Sequence, residues 1–244
     1  MVSLLFDSPP LDLQLANDEI HIWCTSLDHP GSLVDKLVCT LSIDERARAG
    51  RYYFDKDRKR FIIRHGILRM ILGRYLRAEP SELKFCYGRN GKPMLADTFG
   101  NGPVSFSMSS SEGLALYAFT RNREIGVDVE CVRDIPEMDR LVELIFSAME
   151  VHVYRALPKH LKREAFFACW TRKEACLKVT GEGLSRSLDK FELTVDPGEP
   201  PSLLGIDGDQ KSACQWSLHD LKPALGFAAA VAAEDRSWRL RYWR

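Results

Sequence analysis

Gly126-Val127-Asp128-Val129-Glu130 is the stretch from which the rest of the chain can be read. Its β-branched residues alternate with a two-residue period, the mark of a strand, so Val127 and Val129 face a core while Asp128 and Glu130 share the other side. Two carboxylates so close on one face repel each other unless water or a cation screens them. A hard divalent ion such as Mg2+ suits that pair, because it takes carboxylate oxygens. A solvated, half-exposed strand end is the plainer alternative.

Working backward, strand character continues through residues 114–119 and 104–106, behind a turn-rich region marked by Pro80, Gly88, Gly91, Pro93, Gly100, Gly102 and Pro103. Residues 57–76 place Phe61, Ile62, Leu68, Ile71, Leu72 and Tyr75 at helical spacing. Ser42 followed by Glu45 is a capping-box signature, and residues 20–24 alternate as a strand. Working forward, Ser147 and Glu150 repeat the capping box before a short helix ending near Pro158. Residues 162–180 predict a long helix closed by Gly181, and strands are expected at 191–195, 215–218, 227–231 and 238–243. Helix followed by strands thus occurs twice, and the pattern of residues 106–119 is echoed at 216–231. We expect an α+β protein of two similar halves, residues 1–120 and 121–244, packed tightly because no linker separates them.

Composition narrows the function classes. Across 244 residues, 45% hydrophobic and 28% charged content excludes global disorder. Thirty-four basic residues balance thirty-four acidic ones, which argues against a wholly electrostatic nucleic-acid binder. The longest nearly apolar run, residues 224–233, falls well short of the ~20 needed to span a bilayer. Asp7 breaks the run Ser3-Leu4-Leu5-Phe6, so no signal peptide is expected. The seven cysteines contain no CxxC pair and suggest reduced thiols in a cytoplasmic protein. No nucleic-acid or membrane partner is expected.

Chemistry concentrates in four further segments. On the helix Phe166-Phe167-Ala168-Cys169-Trp170-Thr171-Arg172-Lys173-Glu174-Ala175-Cys176-Leu177-Lys178, Glu174 falls on an aromatic face. Burying an unpaired carboxylate there is costly. Either Lys178 pairs with it at i,i+4, or Glu174 joins Asp128 and Glu130 as a third carboxylate, leaving Lys173 and Lys178 for an anionic substrate. Gly88-Arg89-Asn90-Gly91-Lys92-Pro93 is either a hairpin turn or a cationic loop able to approach phosphate; it lacks the spacing of a Walker A loop. Ser109-Ser110-Ser111 offers hydroxyls to phosphate or to local turns. The basic tract Arg46, Arg48, Arg51, Lys56, Arg58, Lys59, Arg60 and Arg64 is either a solvated helix face or a seat for a phosphorylated ligand.

Taken in order, these segments resemble the 4′-phosphopantetheinyl transferases of the surfactin-synthetase-activating type. That family carries G-(I/V)-D-(I/V)-E, here Gly126 to Glu130, and some forty residues later W-x-x-K-E-x-x-x-K, here Trp170 to Lys178. Its G-K-P stands as Gly91-Lys92-Pro93, and its G-x-G-L turn as Gly181-Glu182-Gly183-Leu184. The F-N-x-S-H-S stretch stands as Phe106-Ser107-Met108-Ser109-Ser110-Ser111, with Ser107 in place of the asparagine and Ser110 in place of the histidine. The likeness runs from about residue 42 to 191.

The resemblance implies two pseudo-symmetric α/β halves holding coenzyme A between them. It also implies Mg2+-dependent transfer of 4′-phosphopantetheine to a serine of an acyl or peptidyl carrier protein, by a monomer. Carried over, Asp128, Glu130 and Glu174 bind the metal, Glu174 is the general base, and Lys178 steadies the reacting phosphate. Coenzyme A would meet Arg48, the loop Arg89-Asn90-Gly91-Lys92, Ser109, Ser110, Lys173 and Lys178. With Ser110 in place of an imidazole, the 3′-phosphate is expected to bind more weakly unless a nearby cation compensates. A carrier would dock beside Lys159, His160, Lys162 and Arg163. A catalytically weak carrier-binding paralogue is the alternative; an unrelated Mg2+-dependent phosphoesterase fits the helix motif less well.

Overall fold

Two similar runs of elements, the second with one added short helix, build the molecule, described here by a computed structural model over residues 6–96, 103–183, 186–235 and 237–244. The first run is β1 (Glu19–Ser26), α1 (Gly31–Val38), α2 (Ile43–Ala49), α3 (Asp55–Leu76), a 3-10 turn (Pro80–Glu82), β2 (Phe85–Tyr87), β3 (Pro93–Leu95), β4 (Val104–Ser111) and β5 (Leu114–Arg121). The second is β6 (Ile125–Cys131), α4 (Met138–Ile145), α5 (Ala148–Ala156), α6 (Lys159–Thr180), a 3-10 turn (Leu188–Lys190), β7 (Phe191–Leu193), β8 (Leu203–Ile206), α7 (Gln210–Ala213), β9 (Trp216–Leu221) and β10 (Phe227–Glu234). Strand β11 (Arg239–Trp243) closes the chain. Within each run the first strand pairs antiparallel with the last, and the last with the one before it, giving β1-β5-β4 and β6-β10-β9. β11 returns to the first sheet and pairs in parallel with β1.

The same device anchors both long helices. Ser42 and Ser147 each accept from the backbone N–H three residues on, and Glu45 and Glu150 reach back to the serine N–H, completing two capping boxes. Both glutamates are buried and also bind a cation, Glu45 to Arg69 and Glu150 to Lys173, each at 2.7 Å. These cations occupy the same place in their helices, the fifteenth residue of α3 and of α6. Arg69 donates to the carbonyls of Pro80 and Leu83. Lys173 donates to those of Leu188 and Phe191. A buried ion pair is tolerable only when its remaining hydrogen-bonding capacity is met, and here it is.

Three apolar clusters follow from strand alternation. His21, Trp23, Tyr117 and Phe119 turn toward α3, while Ile20, Ile22, Cys24, Leu116 and Ala118 meet Ile125, Val127 and Val129 from the second sheet. A separate cluster lies under α6. There the helix approaches its sheet very closely. A Cβ at Gly126 would fall 2.0 Å from the Ala175 carbonyl oxygen, and β10 offers mostly alanines. Gly181 caps α6 in the left-handed region at φ 66°, as the sequence predicts.

Several elements differ from expectation. α1 and α4 are additional helices, and α3 and α6 start earlier, at Asp55 and Lys159. The supposed turn region contains the β2–β3 hairpin, and β8 and α7 arise where no element was expected. Gly100, Gly102, Leu184 and Ser3 to Leu5 lie outside the described residues. Among the described residues no helix is long and apolar enough to cross a membrane.

Candidate active site

β4 and β6 run side by side in the same direction, yet belong to separate sheets. Serine hydroxyls on alternate β4 positions fill the gap that a backbone ladder would otherwise close. Ser107 Oγ accepts from Val127 N at 3.1 Å. Ser109 Oγ donates to Asp128 Oδ1 at 2.7 Å. Ser111 Oγ accepts from Cys131 N at 3.1 Å and donates to Glu130 Oε2 at 2.8 Å. The intervening Ser110 turns the other way and accepts from Arg64 Nη1 at 2.9 Å.

The close docking of α6 on β6 carries Lys178 to the strand. Its ammonium donates to Asp128 Oδ1 at 2.7 Å and to the Val127 carbonyl at 2.9 Å. Of the two arrangements the sequence leaves open for Lys178, the i,i+4 ion pair with Glu174 is not formed; the ammonium pairs with the strand instead. An ammonium has three donors, so one remains for the space in front of it. Glu174, on the same face one turn earlier, is half-buried. Burial pushes its carboxyl above the usual range, and the charges of Asp128 and Glu130 push the same way. Burial likewise raises Glu130, with Asp128 adding to it. The three carboxylates thus act on one another.

A cleft of about 260 Å3 opens beside them, walled by Asn90 to Pro93, by Ser107 and Met108, and by Glu174 and Lys178. The loop is tied across to the second run, Asn90 Nδ2 to the Gly181 carbonyl at 3.2 Å and Lys92 Nζ to Glu124 Oε2 at 2.6 Å. Gly91 sits at φ 82°, which a tight turn here requires. Arg89 is exposed at the loop tip.

Two sequence expectations need correction. Lys173 does not face a substrate: it is fully buried, and Glu150 and two carbonyls engage all three of its donors. Ser109 spends its donor on Asp128, so its first role is to hold that carboxylate. Ser107 and Ser111 take roles that the sequence does not assign them, bonding to β6. The two-residue period places Ser107, Ser109 and Ser111 on one side of a strand, a signal that was readable. Arg64 was visible only as one charge in a basic tract. In the expected docking group, Arg163 pairs with Asp134 at 2.6 Å and Lys162 lies over the Tyr154 ring.

The donor set fits a hard divalent cation in kind. Asp128 Oδ2 is buried without a partner, and Glu130 and Glu174 are carboxylates whose charge needs relief. Among the described residues no three His, Cys, Asp or Glu side chains converge closely enough to hold a metal by themselves.

Comparison with known proteins agrees with this architecture. The family described as the 4'-phosphopantetheinyl transferase superfamily matches residues 124–233, the span of the second run. The 4'-phosphopantetheinyl transferase HetI of Nostoc sp. is 41% identical over 96% of this chain and 95% of its own length. A protein of Synechocystis sp. is 34% identical over 91% of this chain and 86% of that one. The 4'-phosphopantetheinyl transferase Sfp of Bacillus subtilis is 24% identical over 82% of this chain and 86% of that one. Motifs, duplicated fold and near full-length relatives agree: the chain belongs to the 4'-phosphopantetheinyl transferase superfamily, as a transferase of the Sfp-like type.

Proposed function

We propose that the protein transfers the 4′-phosphopantetheine group of coenzyme A to a serine hydroxyl of an apo acyl or peptidyl carrier protein. Adenosine 3′,5′-bisphosphate is released. The observation that carries this reading is the meeting of both motifs at the cleft, with Lys178 of α6 bonded to Asp128 of β6 beside Glu174.

Asp128, Glu130 and Glu174 would hold Mg2+ together with the pyrophosphate of the donor. Held there, Mg2+ would supply positive charge to offset the negative charge developing on the pyrophosphate leaving group. Glu174 takes the proton of the carrier serine as its oxygen forms the new bond to phosphorus, and the bond to the adenosine bisphosphate oxygen breaks. Its raised affinity for protons, caused by burial, suits a base working near neutral pH. Lys178 keeps one donor for a phosphate oxygen while its other two fix Asp128 and the strand. Ser109 and Ser111 hold Asp128 and Glu130 in place, so the carboxylates need not reorganise when substrate arrives.

The test is the mass of an apo carrier protein incubated with this protein, coenzyme A and Mg2+. A gain of one phosphopantetheine on the carrier serine, abolished by EDTA, is expected across at least one member of a panel of fatty acid, polyketide and peptide carriers. Binding of carriers with no mass gain would instead identify a carrier-binding paralogue.

A further inference from the structure

At Val127 both backbone polar groups of one strand residue are taken up by the seam between the two runs. β10 pairs along the other edge of β6. The N–H and C=O of a strand residue point to the same edge, so both groups of Val127 meet whatever lies beside the strand on the β4 side. Val127 is fully buried, so solvent cannot take the place of either partner. Ser107 Oγ accepts from the N–H at 3.1 Å, and Lys178 Nζ donates to the carbonyl at 2.9 Å. One residue of the second run is thereby held between a hydroxyl of the first run and the ammonium that faces the cleft.

The three serines that β4 turns toward β6 are not equivalent. Ser109 and Ser111 each donate to a carboxylate. The Ser107 hydroxyl makes one bond among the described residues, as acceptor from Val127, and it does so from a buried position in the cleft wall, 6% exposed. On the other side of Val127, the stem of Lys178 is pressed against β6: its Cβ would lie 2.9 Å from a Cβ built at Gly126. The aim of the ammonium is then set by two anchors, Asp128 Oδ1 and the Val127 carbonyl. Asp128 Oδ1 sits on a side chain that can rotate, whereas the carbonyl is fixed by the main chain. Without Ser107 the Val127 N–H would be buried and unpaired, which costs about as much as a lost hydrogen bond unless the strand edge turns to find another acceptor. Turning that edge carries the carbonyl away from Lys178.

We infer that Ser107 is a positioning residue for the transfer: by bonding the Val127 N–H it fixes the carbonyl that aims Lys178 at the phosphate. The inference rests on the proposed function, and it gives β4 a part in the reaction other than holding carboxylates. The ammonium keeps its charge when Ser107 is lost, so attraction for the bound donor persists. What weakens is the fit to charge that develops in the transition state, so the loss falls on kcat and leaves KM for coenzyme A within about two-fold.

The experiment is a double-mutant cycle on full-length protein, with carrier mass gain as the rate readout and enzyme in excess so that slow transfer is still counted. Ser107→Ala is expected to lower kcat on the order of three- to ten-fold, the size of one net hydrogen bond. In the Lys178→Met background the same Ser107→Ala change is expected to lower the rate by less than about two-fold, because the ammonium it aims is gone. Ser107→Thr keeps the hydroxyl and is expected to transfer several-fold faster than Ser107→Val, which has the same shape without it; this pair decides the matter if the alanine variant fails to fold. A folded Ser107→Ala protein with the wild-type kcat, an equal fall in both backgrounds, or equal rates for the threonine and valine variants overturns the inference and leaves the transfer activity intact. No transfer by the wild type to any carrier overturns the proposed function itself.

Discussion

Lys173 and Glu174 are adjacent in sequence and opposite in purpose. The helical turn of ~100° per residue sends Lys173 into the second-run core and Glu174 to the cleft. Lys173→Met leaves Glu150 buried without its cation, a change that typically costs ~3–5 kcal/mol. Urea unfolding should show that loss, and the double variant with Glu150→Gln should recover part of it. KM for coenzyme A should stay near wild type in whatever fraction folds; a selective rise would return Lys173 to the substrate site. His65 gives a second prediction at this scale. Burial, with the nearby charges of Arg64, Arg48 and Arg69, lowers its pKa to about 3 against an ordinary 6.5, and Nδ1 bonds the Phe61 carbonyl. The unfolded chain binds this proton more readily, so the contribution of neutral His65 is complete above pH 6.5 and fades as pH falls toward 3. Between pH 6.5 and 5 the stability advantage of wild type over His65→Gln should shrink by about 2 kcal/mol. A difference independent of pH would contradict the assignment.

The pairing of α6 with β6 is the element that makes the site, and Gly126 permits it. Any side chain there meets the Ala175 carbonyl, so the helix must lift before Gly126→Ala can fold. Overpacking of this kind costs ~1–3 kcal/mol, and here it also draws Lys178 away from Asp128. Reduced stability by calorimetry together with a fall in transfer rate is expected; a full rate in a destabilised protein would separate packing from catalysis. The same pairing explains what the sequence revealed and what it hid. β6 and the two long helices are legible because alternation, helical spacing and capping residues agree locally. β2, β3 and β8 are only three or four residues long and exist because a partner strand holds them, so no period marks them. The carboxylate positions follow from the motif, but the Lys178 partner does not. A helical wheel shows which neighbours lie one turn away, not how near a glycine lets a strand approach. The buried places of Lys173 and Arg69 were hidden for a related reason: their glutamates come from a different helix.

At the scale of the whole molecule, two similar runs meet along β4 and β6 through serine hydroxyls, and the chain end returns to the first run. β11 covers the edge of β1, and its Trp243 ring packs 5.6 Å from His21 and 6.4 Å from Trp23. Trp243→Ala should therefore cost about 3 kcal/mol, the low end for a large aromatic because the ring is only partly buried. A melting temperature equal to wild type would show that β11 is dispensable. The two runs divide the site between them: the second contributes Asp128, Glu130, Glu174 and Lys178, while the first contributes β4 serines and the Asn90–Pro93 wall. The most direct measurement is the turnover of phosphopantetheine transfer to an apo carrier by wild type, Asp128→Asn and Glu174→Gln, each checked for an unchanged fold by circular dichroism. Both variants are expected to lose at least ~100-fold in kcat, as for removal of a general base or a charge-positioning group; a folded Glu174→Gln protein that turns over at the wild-type rate would contradict the site.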